Sequence, residues 1–148
     1  MSDTVVLDAT PLGILCHPRS PPQVMNCRQW IDDLLANSRR VIVPEIADYE
    51  VRRELLRRNS RIALSNLDQL GRRLEYCPLT TAAMRLAANL WAQARRGGQP
   101  TAPTAAIDAD VVLAAQALGL STGVVVATGN PAHLSRFLPA DLWSNIVP

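Results

Sequence analysis

The chain has 148 residues, 48% of them hydrophobic, and a net charge of +2; that suffices for one domain with a real core, and no apolar run nears the roughly 20 residues of a membrane span. All fifteen cationic side chains are arginine, which excludes chemistry built on a catalytic or phosphate-binding lysine. Three scattered cysteines without CxxC spacing and two histidines exclude a disulfide framework and a zinc site and fit a reduced, cytoplasmic protein.

Met1-Ser2-Asp3 carries no basic leader, so no signal peptide is expected. Thr4 to Leu7 is a short β-branched and aliphatic run that ends on Asp8, Ala9, Thr10 and Pro11. A run this apolar reads as a strand buried on both faces, as in parallel sheets. In such sheets ligands bind beyond the carboxyl ends of the strands, which is where Asp8 falls. Pro11 to Pro22, with four prolines, reads as a loop. Asn26 to Ala36 has helical spacing, with Cys27, Trp30, Ile31, Leu34 and Leu35 on one face. Val41 to Val43 is a second strand, stopped by Pro44, so the first third of the chain is a βαβ unit.

Glu45 to about Arg58 is helical again, and Ile46, Glu50 and Glu54 share a track at i, i+4 spacing. Ile62, Leu64, Leu67, Leu70 and Leu74 suggest another helix, broken near Gly71 or running to Arg73, and Leu74 to Cys77 a short strand. Thr80 or Thr81 caps a helix from Ala82 to Arg95. Gln99 to Ala105 reads as a loop, and Ile107 to Leu118 as an alanine-rich helix stopped by Gly119. Gly123 to Ala127 is a third buried strand, ending in the turn Thr128-Gly129-Asn130-Pro131. Trp143 to Val147 reads as a final strand. There is no repeat, and residues 1–148 read as a single α/β domain.

Asp8 at a strand end, Glu50 on a helix, Asp110 at a helix start and Asn130 at another strand end suggest a cage of oxygen donors. Hard donors of this kind suit Mg²⁺ or Mn²⁺. Clustered carboxylates repel one another, and a divalent ion neutralises them. The chemistry such an ion supports is phosphodiester hydrolysis. Asp108 is either a further ligand or the N-cap of its helix. Glu54 rivals Glu50, with pairing to a nearby arginine as its simpler role. Any one of these residues alone reads as turn, cap or solvated surface; the ordered set carries the inference. Arg52, Arg53, Arg57, Arg58 and Arg61 are by default a solvated face, and flank an RNA backbone if Glu50 faces the cleft. His17 and His133 read as surface or packing residues, and Trp30, Trp91 and Trp143 as core.

The segments VVLDAT, VIVPEIADYEVRREL, DADVVLAAQALG and VVVATGNPAHLSRF, in this order, resemble the PIN-domain nucleases. They are most similar to the VapC-like toxin subunits of toxin–antitoxin pairs. The resemblance implies a three-layer α/β/α sandwich with a central, mainly parallel sheet flanked by helices. It implies an Mg²⁺- or Mn²⁺-dependent endoribonuclease that leaves a 5′-phosphate and a 3′-hydroxyl. It also implies a homodimer and an antitoxin partner whose tail plugs the acidic site. The family's metal-ligating acids match Asp8, Glu50 and Asp110. Its Thr-x-Asn/Asp element matches Thr128-Gly129-Asn130, and its supporting hydroxyl matches Thr10, which would hydrogen-bond the site. Asn130 in place of an acid lowers the charge and leaves a second metal open. The alternative is a PIN-like module without catalysis that binds RNA or acts as a scaffold. Aspartyl-phosphate enzymes want a second Asp where Thr10 stands, and a lysine. Dinucleotide binding wants a Gly-rich turn after the first strand, which is absent.

Overall fold

Strand β1 (Thr4–Leu7) lies at the centre of the sheet and is buried along its whole length. The structure is a computed structural model that describes residues 3–97, 104–120 and 123–148, and only the backbone of 104–107. β1 pairs in parallel with β2 (Arg40–Pro44) on one side and β4 (Val124–Thr128) on the other. β3 (Glu75–Cys77) extends the sheet beyond β2, and β5 (Ala140–Leu142) extends it beyond β4. The order is β3-β2-β1-β4-β5, with every pair parallel. The chain winds outward from β1 in one direction, then returns to wind outward in the other. The reversal opens a crevice between the carboxyl ends of β1 and β4, the place where open α/β sheets bind ligands.

Among the described residues seven helices flank the sheet: α1 (Ala9–Leu15), α2 (Pro22–Ala36), α3 (Glu45–Arg57), α4 (Arg61–Arg73), α5 (Thr81–Arg96), α6 (Thr104–Leu118) and α7 (Pro131–Leu134). The core joins Val5, Val6 and Leu7 to Ile42, Val126, Leu12, Ile31, Leu34 and Leu113, all essentially solvent-free. The apolar runs read as buried strands are therefore covered on both faces. Cys16 and Cys27 are free and lie in this core. Burial pushes both thiols up to about 12, so they stay protonated and unreactive. Among the described residues no helix is long and apolar enough to cross a membrane.

Four expectations need correction. Pro11 does not open a loop; it lies in the first turn of α1, where its missing N–H has no intrahelical partner to lose. α2 starts at Pro22 rather than Asn26 for the same reason. α6 begins at Thr104, so the loop expected over Gln99 to Ala105 includes two helical residues, and the rest of it lies outside the described residues. The Ala-rich run extends the helix backward, as alanine favours. Asp108 is therefore inside the helix and is not its N-cap. Finally, Trp143 to Val147 is not a strand. β5 comes just before it, and Trp143–Asn145 is a 3₁₀ turn. The apolar residues there serve tertiary packing: the Trp143 ring lies 5.6 Å from that of Trp30, whose Nε1–H donates to the Ile146 carbonyl at 2.8 Å.

Candidate active site

Register places the first acid. Leu7 pairs with Ala127, so Asp8 and Thr128 emerge side by side at the crevice. The Thr128 hydroxyl donates to Asp8 Oδ2 at 2.7 Å and accepts from the Asn130 N–H at 3.1 Å. A hydroxyl has one proton, so accepting from Asn130 commits that proton to Asp8. Asp8 Oδ1 accepts from the Ala9 N–H at 2.7 Å, making Asp8 the N-cap of α1. Thr128 is buried, so the carboxylate is held from both oxygens by rigid partners. Its remaining lone pairs are left for the crevice.

The other two acids come from helices. β2 passes into α3 without a loop, which sets Glu50 in the helix's second turn. α6 carries Asp110. Both are half-buried and line a cleft of about 610 Å³ together with Tyr49, Arg53, Asp108 and His133. Burial pushes Glu50 up to about 7, with the Asp8 and Asp110 charges adding to the rise and Arg53 opposing it. Burial likewise pushes Asp110 up to about 6, reinforced by Asp8 and opposed by His133 and Arg136. The Asp8 charge thus reaches both helix-borne acids, and that of Asp110 reaches Glu50. Among the described residues, no three Asp, Glu, His or Cys side chains close around a single point. Glu50 and Asp110 face the cleft, and Asp8 acts on both from the end of β1.

Asp108 is exposed and lines the same cleft at its rim. Glu54 turns outward and pairs with Arg57 and Arg58. Asn130 is exposed and its amide nitrogen stands 3.2 Å from His133 Nε2, while His133 Nδ1 lies 3.3 Å from Asp110 Oδ2. Asn130 therefore reaches the acids through His133. That histidine was read as surface or packing. The position three residues after Asn130, just past Pro131, was the available signal: it faces back along the first turn of α7. Thr10 packs against the β4–α7 turn, and the hydroxyl bonded to Asp8 belongs to Thr128. A Cβ built on Gly129 would stand 2.7 Å from Thr10 Oγ1 and 3.0 Å from its Cβ. Gly129→Ala is therefore expected to cost about 1–3 kcal/mol by overpacking, and Thr10→Ala in the same chain to recover part of it, both read by urea denaturation.

No protein-family model matches the chain, and neither does any curated protein. Solved structures do match. The chain is similar to VapBC2 from Rickettsia felis bound to a DNA fragment from their promoter, at 17% identity and TM-score 0.71, over 95% of this chain and 98% of that one. It is similar to FitAcB from Neisseria gonorrhoeae at 18% identity and TM-score 0.66, over 96% and 99%. VapBC-1 from nontypeable Haemophilus influenzae matches at 16% identity and TM-score 0.68, again over 96% and 99%. The fold is PIN-like. In this chain α3, α6 and α7 line the cleft through Glu50, Asp110 and His133, and Asp8 stands at the end of the central strand β1.

Proposed function

We propose that the chain is a divalent-metal-dependent endoribonuclease and the toxin half of a toxin–antitoxin pair, acting in the cytoplasm. The observation that carries this reading is that Glu50 and Asp110, from two different helices, line one cleft, with the charge of strand-end Asp8 bearing on both. These donors fit a hard cation. They are carboxylate oxygens, and burial, with the neighbouring carboxylate charge added, holds Glu50 and Asp110 above the usual carboxylate range, a penalty that a bound Mg²⁺ or Mn²⁺ would offset. Asp8, Glu50 and Asp110 would hold the ion, with Asp108 at the rim available as a further ligand. When bound, the ion polarises the phosphodiester and lowers the pKa of the attacking water.

The remaining roles belong to the chain's own groups. Thr128 and the Ala9 N–H keep the Asp8 carboxylate in one orientation. His133 steadies Asp110, and Asn130 steadies His133. Arg53 offers a cation to the RNA backbone at the cleft mouth. Thr128→Val removes the donor to Asp8 and the acceptor for the Asn130 N–H. It is expected to lower cleavage about 10–100-fold, the usual effect of losing a partner that orients a ligand, measured as single-turnover rates. The VapBC likeness supports an antitoxin partner, and a homodimer is part of the same reading.

The test is incubation of a mixed structured RNA with Mg²⁺, Mn²⁺ or EDTA, followed by analysis of the new ends. Cleavage only with metal, leaving 5′-phosphates, is expected. A chain that cuts nothing with either ion is not a nuclease. The second reading, a PIN-like RNA-binding or scaffolding module, is favoured by one observation: Asn130 is exposed, turned to His133, and adds no charge to the site. It predicts RNA binding without cleavage and without tight metal binding.

A further inference from the structure

Tyr49 is the most exposed of the chain's six aromatic residues, at 55%. The others are largely spent on packing, as with the Trp30–Trp143 pair. Tyr49 precedes Glu50 on α3 and lines the same cleft. Arg53, one helical turn on, lays its guanidinium 5.1 Å over the Tyr49 ring. The Arg53 charge is also felt by Glu50. The lip of the cleft is thus an aromatic ring with a guanidinium over it, one residue from a candidate metal ligand. Over half of this ring is open to solvent, and the Arg53 cation lies against it.

We propose that Tyr49 and Arg53 form a nucleobase platform, which seats one unpaired base of the RNA strand beside the phosphate that enters the cleft. The substrate class is then single-stranded RNA, or a loop within a folded RNA. An unpaired base exposes its face for stacking, whereas an A-form duplex keeps its faces covered by neighbours. Arg53 serves twice, by extending the stacking surface and by countering the strand's charge. Stacking is tolerant of base identity, so this site selects strand form rather than sequence. The subsite rests on the nuclease reading for its place in the reaction, but its binding is measurable without cleavage.

The test uses fluorescein-labelled 12-nucleotide oligoadenylate RNA and a 12-base-pair RNA duplex in EDTA, with anisotropy as the readout. A second oligoadenylate carries 2-aminopurine, whose fluorescence is quenched on stacking. Tyr49→Ala is expected to weaken oligoadenylate binding about tenfold and abolish the quench. Tyr49→Phe keeps the ring and stays within about twofold of wild type, and duplex binding is unchanged in both. Equal oligoadenylate affinity and quench in Tyr49→Ala and wild type overturns the platform. So does an equal loss on the duplex, which would mark a general backbone or protein contact, or no oligoadenylate binding by wild type. Metal-dependent cleavage that ignores Tyr49→Ala would leave the nuclease standing without the platform. Tyr49-dependent stacking by a protein that never cleaves would leave the platform standing without the nuclease.

Discussion

Asp8→Asn is expected to lower RNA cleavage at least about 1000-fold while leaving the fold intact. The replacement keeps the size of the side chain and its capping oxygen, so the Ala9 N–H retains its acceptor. The new amide N–H can donate to the second lone pair of Thr128 Oγ1, although the Thr128 proton loses its acceptor, as it also does in Asp8→Ala. What disappears is one negative charge at the centre of the site. Loss of a metal-holding carboxylate removes several kcal/mol of transition-state stabilisation, and each 1.36 kcal/mol is tenfold in rate. Asp8→Ala is the less informative variant. It also loses the N-cap, costing about 1 kcal/mol, and it leaves the buried Thr128 hydroxyl without its acceptor. Single-turnover cleavage beside a urea unfolding curve separates the two effects. Retained activity in Asp8→Asn would remove Asp8 from the site.

Glu50→Gln is expected to stabilise the metal-free protein at pH 8 and to make no difference at pH 4. In the fold the Glu50 pKa rises from 4.5 to about 7. Between those values the folded state holds a proton that the unfolded state has released. Stability therefore falls as pH climbs through that window, and it stays lower above it. One pKa unit corresponds to about 1.4 kcal/mol, and solvent screening at this half-exposed site reduces the effect to about 1–2 kcal/mol. Asp110 works in the same direction between 3.8 and about 6. Urea midpoints in EDTA at the two pH values give the answer directly. Added Mg²⁺ should close the gap at pH 8, because a bound ion compensates the buried negative charge of Glu50 and its neighbours. As pH drops through about 7 and then 6, protons compete for these carboxylates and metal affinity falls. A site that is stabilised by losing an acid is carrying a stability penalty for its function.

The strands and most helices were legible because they rest on local rules. Val5-Val6-Leu7, Val41-Ile42-Val43 and Val124-Val125-Val126 are too apolar for anything but a doubly covered sheet, and Thr80 does cap α5 by accepting from the Ala83 N–H. The misreadings also have local causes. Proline was taken as a breaker at Pro11 and Pro22, where the first turn of a helix accepts it. Apolar Trp143, Ile146 and Val147 alternate poorly and were assigned to a strand, whereas contacts with Trp30 decide their path.

In the site, the strand-end rule pointed to Asp8, and i, i+4 spacing left Glu50 and Glu54 as rivals. The outward pairing of Glu54 with Arg57 and Arg58 separates them. His133 and the Thr128–Asp8 bond were not legible. They join residues 23 and 120 positions apart, and such a contact exists only once register and helix packing are set. Gly129 likewise looked like ordinary turn chemistry until the approach of Thr10 made any side chain there a clash.

The central claim is that Asp8, Glu50 and Asp110 hold a divalent ion, and calorimetric titration of Mn²⁺ into the metal-free protein at pH 8 tests it most directly. Wild type should bind with measurable heat, and Asp8→Asn and Glu50→Gln should each bind at least about tenfold more weakly. No heat from wild type, or the same binding in all three proteins, would contradict the account and leave a PIN-like binding module as the reading to pursue.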